Sequence, residues 1–316
     1  MNRTILLASF LIAAQSIFGQ QAELLDKSNS NITDNDLLCV AVDQNGNKWI
    51  GTSKVGLAKF DNENFTQFDK NNSDINGDYI SPIFTDTKGN VWVSFSNPTD
   101  GIAKYDGSSW TVYGVEEIPV DKISVISIAE DKEGKIYFGG ANGLITYDGE
   151  RWSSLELPEG NFTIRTLDIS NDGEIAIGHN SGLLIKKDDK WTSYTTENSE
   201  LQLGTVRAVK YTVLGQLYIG YGGGFGGGGF SIMENNEWQH FNKTNSKIPD
   251  HMIRDIEIDY NGTIWMATNN GVIKKEGSTI TPILFREGMF KNVILDIALE
   301  GETIWIATNF GLIKMK

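Results

Sequence analysis

One short pattern recurs seven times along this chain, and it constrains the fold more than any other feature. Each copy is a glycine followed by a short, mostly apolar segment, as in residues 46–52 (GNKWIGT). The glycines that open the copies are Gly46, Gly89, Gly134, Gly173, Gly215, Gly262 and Gly301. Successive copies lie 39 to 47 residues apart. A repeat of this length is typical of propeller blades and of solenoid units.

The residue types inside each unit distinguish between these two architectures. In the first unit an apolar run at residues 40–42 precedes the glycine pattern, and a second glycine phrase (residues 56–60) and an aromatic pair, Phe65 with Phe68, follow it. Such segments favour strands, and no segment keeps helical spacing over three turns. Four short strands per unit make one propeller blade. The sequence therefore predicts an all-β fold, a seven-bladed β-propeller of four-stranded antiparallel blades, over residues 20–316.

The way in which the ring closes is also predictable from the repeat. The seventh unit reaches Lys316 directly after its third strand, and the matching fourth segment occurs near the other end of the chain. Residues 25–32 (LDKSNSNI) align without a gap with residues 68–75 (FDKNNSDI), and equally with residues 194–201 and 241–248. We therefore expect residues 22–32 to supply the outer strand of the last blade, which leaves no open edge between first and last blade.

The first residues are typical of an export signal. Arg3 precedes an apolar run at residues 5–14, and the small residue Gly19 follows it. This arrangement predicts a signal peptide at residues 1–19, with cleavage after Gly19 or, alternatively, after Ala14. No later stretch approaches eighteen apolar residues, so no membrane span is expected. The sequence predicts a soluble protein in the periplasm or outside the cell.

Charge and cysteine content exclude several function classes. The formal net charge is −14 and no basic tract interrupts it, which argues against a nucleic-acid partner because phosphate binding needs clustered cations. The single cysteine, Cys39, permits no intrachain disulfide and no cysteine-rich zinc site. It lies in an apolar run and is interpreted as a small buried residue. No cofactor is predicted.

The repeat resembles that of the two-component regulator propeller family, whose blades carry the phrase D-x-x-G-x-[IL]-W-[IV]-G-T followed by G-[LI]-x-[KR]-[YF]. Residues 43–52 with 56–60 match it closely, as do residues 259–268 with 271–274. In long members of the family such blades form the exported sensor part of a membrane-bound histidine kinase. No kinase or DNA-binding module follows here, so the resemblance implies a standalone, sensor-like binding propeller. The repeat is also similar to lyase-type propellers, which keeps an enzyme as the alternative.

Two residue types that recur in step with the repeat have structural interpretations. An aspartate precedes the turn glycine by three residues in four units, at Asp43, Asp86, Asp131 and Asp259. Calcium would require further oxygen ligands at alternating positions, which the units lack, so we expect these carboxylates to accept backbone hydrogen bonds in tight turns. A tryptophan also recurs at one repeat position, at Trp49, Trp92, Trp265 and Trp305, and is expected to pack between blades.

Departures from the repeat are better candidates for a functional site. The fifth unit replaces a short connection with residues 221–229 (YGGGFGGGG), which predicts a mobile loop that displays Tyr221 and Phe225. It lacks the lysine and helix of a phosphate-binding P-loop. The alternative is an insertion without a function.

Three arginines form the second departure. Arg165, Arg207 and Arg254 each stand eight residues before the turn glycine of adjacent units, where other units have Leu38, Ser81 or Ile126. This position opens the innermost strand, near the mouth of the central funnel. Three neighbouring guanidinium groups would form an anion-binding arc. The alternative is that each pairs with a nearby carboxylate such as Asp168 or Asp255.

The strand connectivity places the glycine loop and the arginines on one face. The same face is expected to carry His179, His251, Asn270, Phe310 and residues 97–99, a composition that suits a carbohydrate or an acidic oligomer. The predicted function is non-catalytic binding of a ligand, or of a protein partner in a signalling or cell-surface complex.

Two alternatives to ligand binding stay open. One is a lyase acting on an anionic polysaccharide or lactone, with His179 or His251 as the candidate base. The other is a purely structural exported protein.

Overall fold

The computed structural model describes residues 22–120, 122–141, 143–160, 162–222, 228–285 and 293–316. The predicted signal peptide and Phe225 lie outside the described residues. Within them the chain forms seven four-stranded antiparallel sheets, and no helix long and apolar enough to cross a membrane is present. The fold is the predicted all-β, seven-bladed propeller.

The strands are numbered in chain order, from β1 (Ala22–Leu25). Blade 1 comprises β2 (Leu37–Val42), β3 (Lys48–Thr52), β4 (Leu57–Phe60) and β5 (Phe65–Phe68). Blade 2 comprises β6 (Ile80–Thr85), β7 (Val91–Phe95), β8 (Ile102–Tyr105) and β9 (Trp110–Tyr113). Blade 3 comprises β10 (Val125–Glu130), β11 (Ile136–Gly140), β12 (Gly143–Tyr147) and β13 (Trp152–Leu155).

Blades 4 to 7 repeat the same order. Blade 4 comprises β14 (Ile164–Ile169), β15 (Ile175–His179), β16 (Gly182–Lys187) and β17 (Lys190–Tyr194). Blade 5 comprises β18 (Val206–Tyr211), β19 (Leu217–Tyr221), β20 (Phe230–Glu234) and β21 (Glu237–Phe241). Blade 6 comprises β22 (Ile253–Ile258), β23 (Ile264–Thr268), β24 (Gly271–Glu276) and β25 (Thr279–Ile283). Blade 7 comprises β26 (Asp296–Glu300), β27 (Thr303–Thr308), β28 (Gly311–Met315) and, from the other end of the chain, β1.

The first strand of each blade lies innermost, and these seven strands surround a central channel. Each inner strand contacts the inner strands of both neighbouring blades, including β2 with β26, so the ring is closed. The outer edge of blade 7 is completed by β1, which pairs with β28 from Ala22–Met315 to Leu25–Leu312. This confirms the predicted closure. The paired strand is shorter than the predicted segment, because the chain turns directly after Leu25.

The turn after β1 explains why residues 25–32 resemble segments of other blades. The Asn29 side chain accepts a hydrogen bond from Asp26 N (2.9 Å) and donates one to Leu24 O (2.8 Å). The same asparagine geometry recurs at Asn72, Asn198 and Asn245. Ile32 then enters the core, where it is buried. The shared motif is therefore an outer-strand exit turn, and its presence marks the outer strand of a blade.

The recurring aspartates act in turns, as predicted. Asp43 Oδ1 accepts hydrogen bonds from Asn45 N and Asn47 N, both at 2.9 Å, and Asp43 Oδ2 accepts one from Trp49 Nε1 at 2.8 Å. Asp86, Asp131 and Asp259 accept the equivalent bonds in their own blades. These hydrogen bonds hold the carboxylates in the turns. They also orient the buried tryptophans that pack between neighbouring blades.

The core lies between the blades. Trp305 of blade 7 packs edge-on against Phe60 of blade 1, with ring centroids 5.9 Å apart. Lys48 is fully buried here, and its Nζ lies 4.5 Å from the Trp305 ring centroid and 3.4 Å from Glu300 Oε2. The junction between the first and last blades therefore combines apolar packing with a buried cation that has polar partners.

Side chains of the inner strands bind the exposed backbone edge of the next blade. Ser127 Oγ accepts from Leu167 N at 3.0 Å, and Thr166 Oγ1 accepts from Val209 N at 3.2 Å. Asp255 Oδ2 and Asp296 Oδ2 accept in the same way from Ile297 N and Val40 N. Because an unpaired N–H group in the protein interior is costly, these bonds help to fix the blades around the channel.

Candidate functional site

A bulge near the start of the inner strand directs the three arginines into the channel. In blade 4, Ile164 pairs with His179 and Thr166 with Gly178, so Arg165 is left without a partner in the ladder. Arg207 and Arg254 occupy the same unpaired position in blades 5 and 6. A bulge changes the direction of a side chain relative to the sheet. All three arginines line the channel at the same end, and we call them the arginine mouth.

The guanidinium groups of the arginine mouth make no ion pair with any described residue. Arg254 Nε donates a hydrogen bond to Asn269 Oδ1 at 2.8 Å, and no carboxylate oxygen among the described residues lies within 4.0 Å of the three. Burial lowers the pKa of Arg207, with Arg165 as a second cause, and burial followed by Arg207 lowers the pKa of Arg254. The predicted alternative, pairing with Asp168 or Asp255, is therefore wrong for the described structure.

The two carboxylates of that alternative have other partners. Asp168 Oδ2 accepts a hydrogen bond from Tyr211 N at 2.7 Å, and Asp255 binds the backbone of the next blade. Asp168 and Asp255 belong to a group of charged side chains that lies deeper in the channel and also includes Lys210 and Glu257. Lys210 Nζ lies 3.0 Å from Glu257 Oε1, and Asp168, Lys210 and Glu257 share one repeat position on adjacent blades. The channel lined by these residues has a volume of about 720 Å³.

Sequence reasoning missed this charged group, although a signal was present. Asp168, Lys210 and Glu257 each follow an arginine of the mouth by three residues. The alignment that brings the arginines together therefore also brings these side chains together. The structure shows the result, a charged wall formed by blades 4, 5 and 6.

Two half-buried carboxyl groups lie at the junction of blades 6 and 7. Asp255 and Asp296 occupy equivalent positions on adjacent inner strands. Burial, followed by the charge of Glu257, raises the pKa of Asp255 to about 6, although the Lys210 ammonium opposes this rise. Burial and then Asp255 raise the pKa of Asp296 well above its usual range. The pair therefore retains a proton under conditions in which exposed aspartates have lost theirs.

We expect Asp296→Asn to remove part of the pH dependence of stability. A carboxyl pKa that is higher in the folded than in the unfolded state favours folding at low pH, and this contribution is lost as the pH rises through about 6. The amide can still accept from Val40 N, and it has no proton that titrates in this range. From pH 4 to pH 8 the variant should therefore gain about 1–3 kcal/mol in free energy of unfolding relative to the unchanged protein.

Urea unfolding at a series of pH values measures this gain. Asp172→Asn, at an exposed aspartate in the turn after β14, is the matched control and should follow the unchanged protein. If the free energy of unfolding varied with pH in the same way for Asp296→Asn and the unchanged protein, the raised pKa of Asp296 would be contradicted.

The structure corrects the predicted placement of Tyr221. This residue ends β19 and is fully buried, and its hydroxyl lies 2.7 Å from Ser231 Oγ. The strand β19 extends into the glycine-rich segment. The Tyr221 side chain packs in the core between blades 4 and 5. The predicted display of Tyr221 on a loop is therefore wrong. The ligand-binding role predicted for Phe225 concerns a residue outside the described ones.

The two candidate histidines differ in their surroundings. His179 ends β15 and is buried, its Nδ1 accepts from Ser181 N at 3.1 Å, and burial lowers its pKa to about 4. It is therefore neutral at pH 7 and is not exposed to a ligand in the channel. His251 is half-buried, and its carbonyl accepts from Gly229 N at 2.6 Å, so it is attached to the end of the glycine loop.

The other end of the glycine loop lies against the arginine mouth. A side chain added at Gly222 would place its Cβ 3.1 Å from Arg207 Cδ. The described ends of the loop therefore contact Arg207 on one side and His251 on the other. This places the described ends of the loop on the same face as the arginines.

A chain of polar contacts in blade 5 combines residue types found in hydrolases. Ser231 Oγ lies 2.8 Å from His240 Nδ1, and His240 Nε2 lies 3.5 Å from Glu200 Oε2. Ser231 is fully buried and also contacts the Tyr221 hydroxyl, so no substrate can reach its oxygen. Within the described part of the chain, no group of three or more His, Cys, Asp or Glu residues is arranged to hold a metal ion.

Comparison with known proteins supports the fold and one repeat. Residues 247–270, which include His251 and Arg254, match the family described as "Two component regulator propeller". No curated protein matches the chain in sequence.

Several solved structures share the architecture at low sequence identity. A catalytically inactive histidine-to-alanine variant of virginiamycin B lyase from Staphylococcus aureus, solved with quinupristin, has a TM-score of 0.76 at 17% identity and covers 94% of this chain and 99% of its own. The extracellular domain of a putative hybrid two component system from B. thetaiotaomicron has a TM-score of 0.74 at 19% identity over 93% of this chain. PorZ, a surface component of the type-IX secretion system of Porphyromonas gingivalis, has a TM-score of 0.70 at 18% identity over 92% of this chain.

The lengths of these proteins differ. This chain spans 41% of the solved B. thetaiotaomicron extracellular domain and 48% of the solved PorZ chain. At these identities the likeness extends to the fold alone. Together with the match at residues 247–270, the seven four-stranded blades show that this chain is a seven-bladed propeller carrying the two-component regulator propeller repeat.

Proposed function

We propose that this propeller is an exported, non-catalytic protein that binds an anionic ligand at the arginine mouth. The observation that carries the proposal is the set of three guanidinium groups that line one end of the channel without a described ion pair. Arginine stays charged at neutral pH and presents several donors in a plane, so it binds carboxylates and phosphates well. In a protein of net charge −14, such a local positive region requires a specific reason.

The electrostatic arrangement supports binding and not merely a structural role. Structural arginines in a protein rich in acids usually pair with carboxylates. Here Asp168 and Asp255 are bonded to other groups, and Asp250, whose charge acts on Arg254, forms no ion pair with it. Three like charges around one opening repel each other, and an anion placed between them relieves that repulsion. The ligand would therefore contribute to holding blades 4, 5 and 6 together.

A sensor-like role follows from the same site. The solved extracellular domain from B. thetaiotaomicron belongs to a putative two component system, and we transfer this context to the present chain as part of the proposal. Residues 1–19 would direct export, as the sequence predicts. The bound state would then be recognised by a protein partner in a signalling or cell-surface complex.

Binding of trigalacturonate, an acidic sugar oligomer, tests the site. Isothermal titration at low ionic strength should show binding that weakens by about 10- to 100-fold in Arg207→Gln, because a hydrogen bond to a charged group is lost. Arg151→Gln is the matched control, since Arg151 is exposed on the outer part of blade 3 and lies 3.8 Å from Asp148. Acetate and phosphate extend the test to small anions. If no anion binds in a manner that depends on Arg207, the proposal is wrong.

The lyase alternative is favoured by one finding, the fold shared with virginiamycin B lyase along nearly the whole chain. Of the candidate bases, His251 is the better placed, because it is half-buried at the face of the arginine mouth and His179 is enclosed. Incubation with acidic polysaccharides, followed by absorbance of unsaturated products, separates the two functions. Sustained product formation that is lost in His251→Ala would favour the lyase.

A further inference from the structure

We infer that the ligand of this site is an amphipathic anion, with an acidic group at the arginine mouth and an apolar body against the opposite channel wall. The inference rests on the proposed function, because it assumes that the arginine mouth binds an anion. It adds the chemical class of the ligand, and it favours alkyl or aryl acids over polar acidic sugars.

The opposite wall carries apolar side chains at the level of the arginines. Leu38, Pro82 and Ile126 belong to the inner strands of blades 1, 2 and 3, and Leu295 directly precedes the inner strand of blade 7. All four line the channel and are half-buried. We call these four residues the apolar arc. The bulge that turns an arginine into the channel in blades 4 to 6 turns Leu38 and Ile126 inward in blades 1 and 3.

The two halves of the channel therefore differ along its depth as well as at its mouth. On the side of the arginines, Asp168, Lys210 and Glu257 continue the charged wall. On the other side, Val42, Phe84 and Leu299 continue the apolar wall. Ser81 and Ser127 add hydroxyl groups there, and that of Ser127 is bonded to Leu167 N of the next blade. Glu130 and Asp296 also line the channel on this side, so the contrast between a charged and an apolar side is sharpest at the mouth, between the arginines and the apolar arc.

This division discriminates between classes of anion. Binding a polar sugar would place hydroxyl groups against leucine, isoleucine and proline side chains, where they lose water without gaining hydrogen bonds. An alkyl or aryl group instead removes the apolar arc from water, which is favourable in proportion to the area covered. The volume of about 720 Å³ is within the range of small-molecule sites, so a compact acid fits the opening.

A chain-length series of carboxylates tests the inference on the unmodified protein. Titration with acetate, butanoate, hexanoate and octanoate should show affinity that rises about two- to fourfold for each added methylene group. Arg207→Gln should weaken all members of the series by a similar factor. Octanol, which lacks the charge, should bind more weakly than octanoate.

Substitution of the apolar arc provides the second arm. Leu38→Ser and Ile126→Ser should reduce the dependence of affinity on chain length, and they should weaken octanoate binding more than acetate binding. Val213→Ser is the matched control, because Val213 is 82% exposed in the turn after β18, at the opposite end of the inner strand from Arg207. The chain-length series on the unmodified protein keeps the inference testable even if either serine variant fails to fold.

The outcomes separate this inference from the proposed function. If trigalacturonate binds through Arg207 while octanoate binds no more tightly than acetate, the apolar half is not part of the site and the inference fails alone. If octanoate binds but neither the arginine nor the serine variants alter its affinity, it associates elsewhere and the inference is again wrong. If no anion binding depends on Arg207, both proposals fail together.

Discussion

Deletion of residues 22–33 is expected to lower the thermal midpoint of unfolding by at least roughly 10 °C. The deletion removes β1 from the outer edge of blade 7 and exposes the backbone groups of β28 from Leu312 to Met315. It also removes Ile32 from the core between the first and last blades, and loss of one such side chain alone costs about 2–5 kcal/mol. Exposed strand edges pair with other chains, so the shortened protein should also aggregate. Thermal unfolding by circular dichroism and light scattering measure both effects.

A peptide of residues 20–36 provides the control for this experiment. Added in excess to the shortened protein, the peptide should occupy the vacant edge of blade 7. It should restore much of the loss in the thermal midpoint, because a ligand that binds only the folded state stabilises that state. The same peptide with Leu24 and Ile32 replaced by Asn should restore little. An unchanged midpoint in the shortened protein would show that ring closure does not depend on β1.

Trp305→Ala is expected to destabilise the protein by about 3–5 kcal/mol, the cost of removing a large buried aromatic side chain. Trp305 is fully buried between blades 7 and 1, and its Nε1 donates to Glu300 Oε2 at 2.8 Å. Its ring also faces the buried ammonium group of Lys48. The substitution therefore leaves a cavity beside a cation that has lost one of its contacts. Chemical denaturation at pH 7 measures the change in the free energy of unfolding.

Trp191→Ala is the matched control for Trp305→Ala. Trp191 belongs to the outer strand β17 and is half-buried, and its Nε1 donates to Glu156 O at 3.2 Å. Because water can reach the space that its side chain leaves, we expect a loss of about 1–2 kcal/mol. Equal losses at the two positions would contradict the view that the junction between blades carries the stability of the ring.

The sequence predicts the blades well because each blade is a local structure. The Asp43 turn and the Trp49 contact lie within one repeat, so residue spacing alone reveals them. The closure was predictable for a related reason, since the turn at Asn29 is the same turn that ends the outer strands of three other blades. The grouping of the three arginines followed from their common repeat position.

Features that depend on contacts between blades could not be predicted in the same way. The charge interaction between Asp255 and Asp296 links residues 41 positions apart, and it exists because neighbouring inner strands are in register across a closed ring. Tyr221 adjoins a run of glycines and therefore suggested a loop, yet the preceding strand extends to include it and buries it. Whether the arginines have carboxylate partners also depends on these distances between strands.

The pairing of Leu25 with Leu312 has a consequence for how the protein is made. During synthesis on the ribosome, β1 emerges before the other strands of the ring and has no partner until β28 has been made. Contacts between such distant positions form slowly, and unfinished sheets are vulnerable to misassembly in the meantime. The backbone groups of β1 that pair with β28 therefore stay without these partners until the last strand of the ring is available.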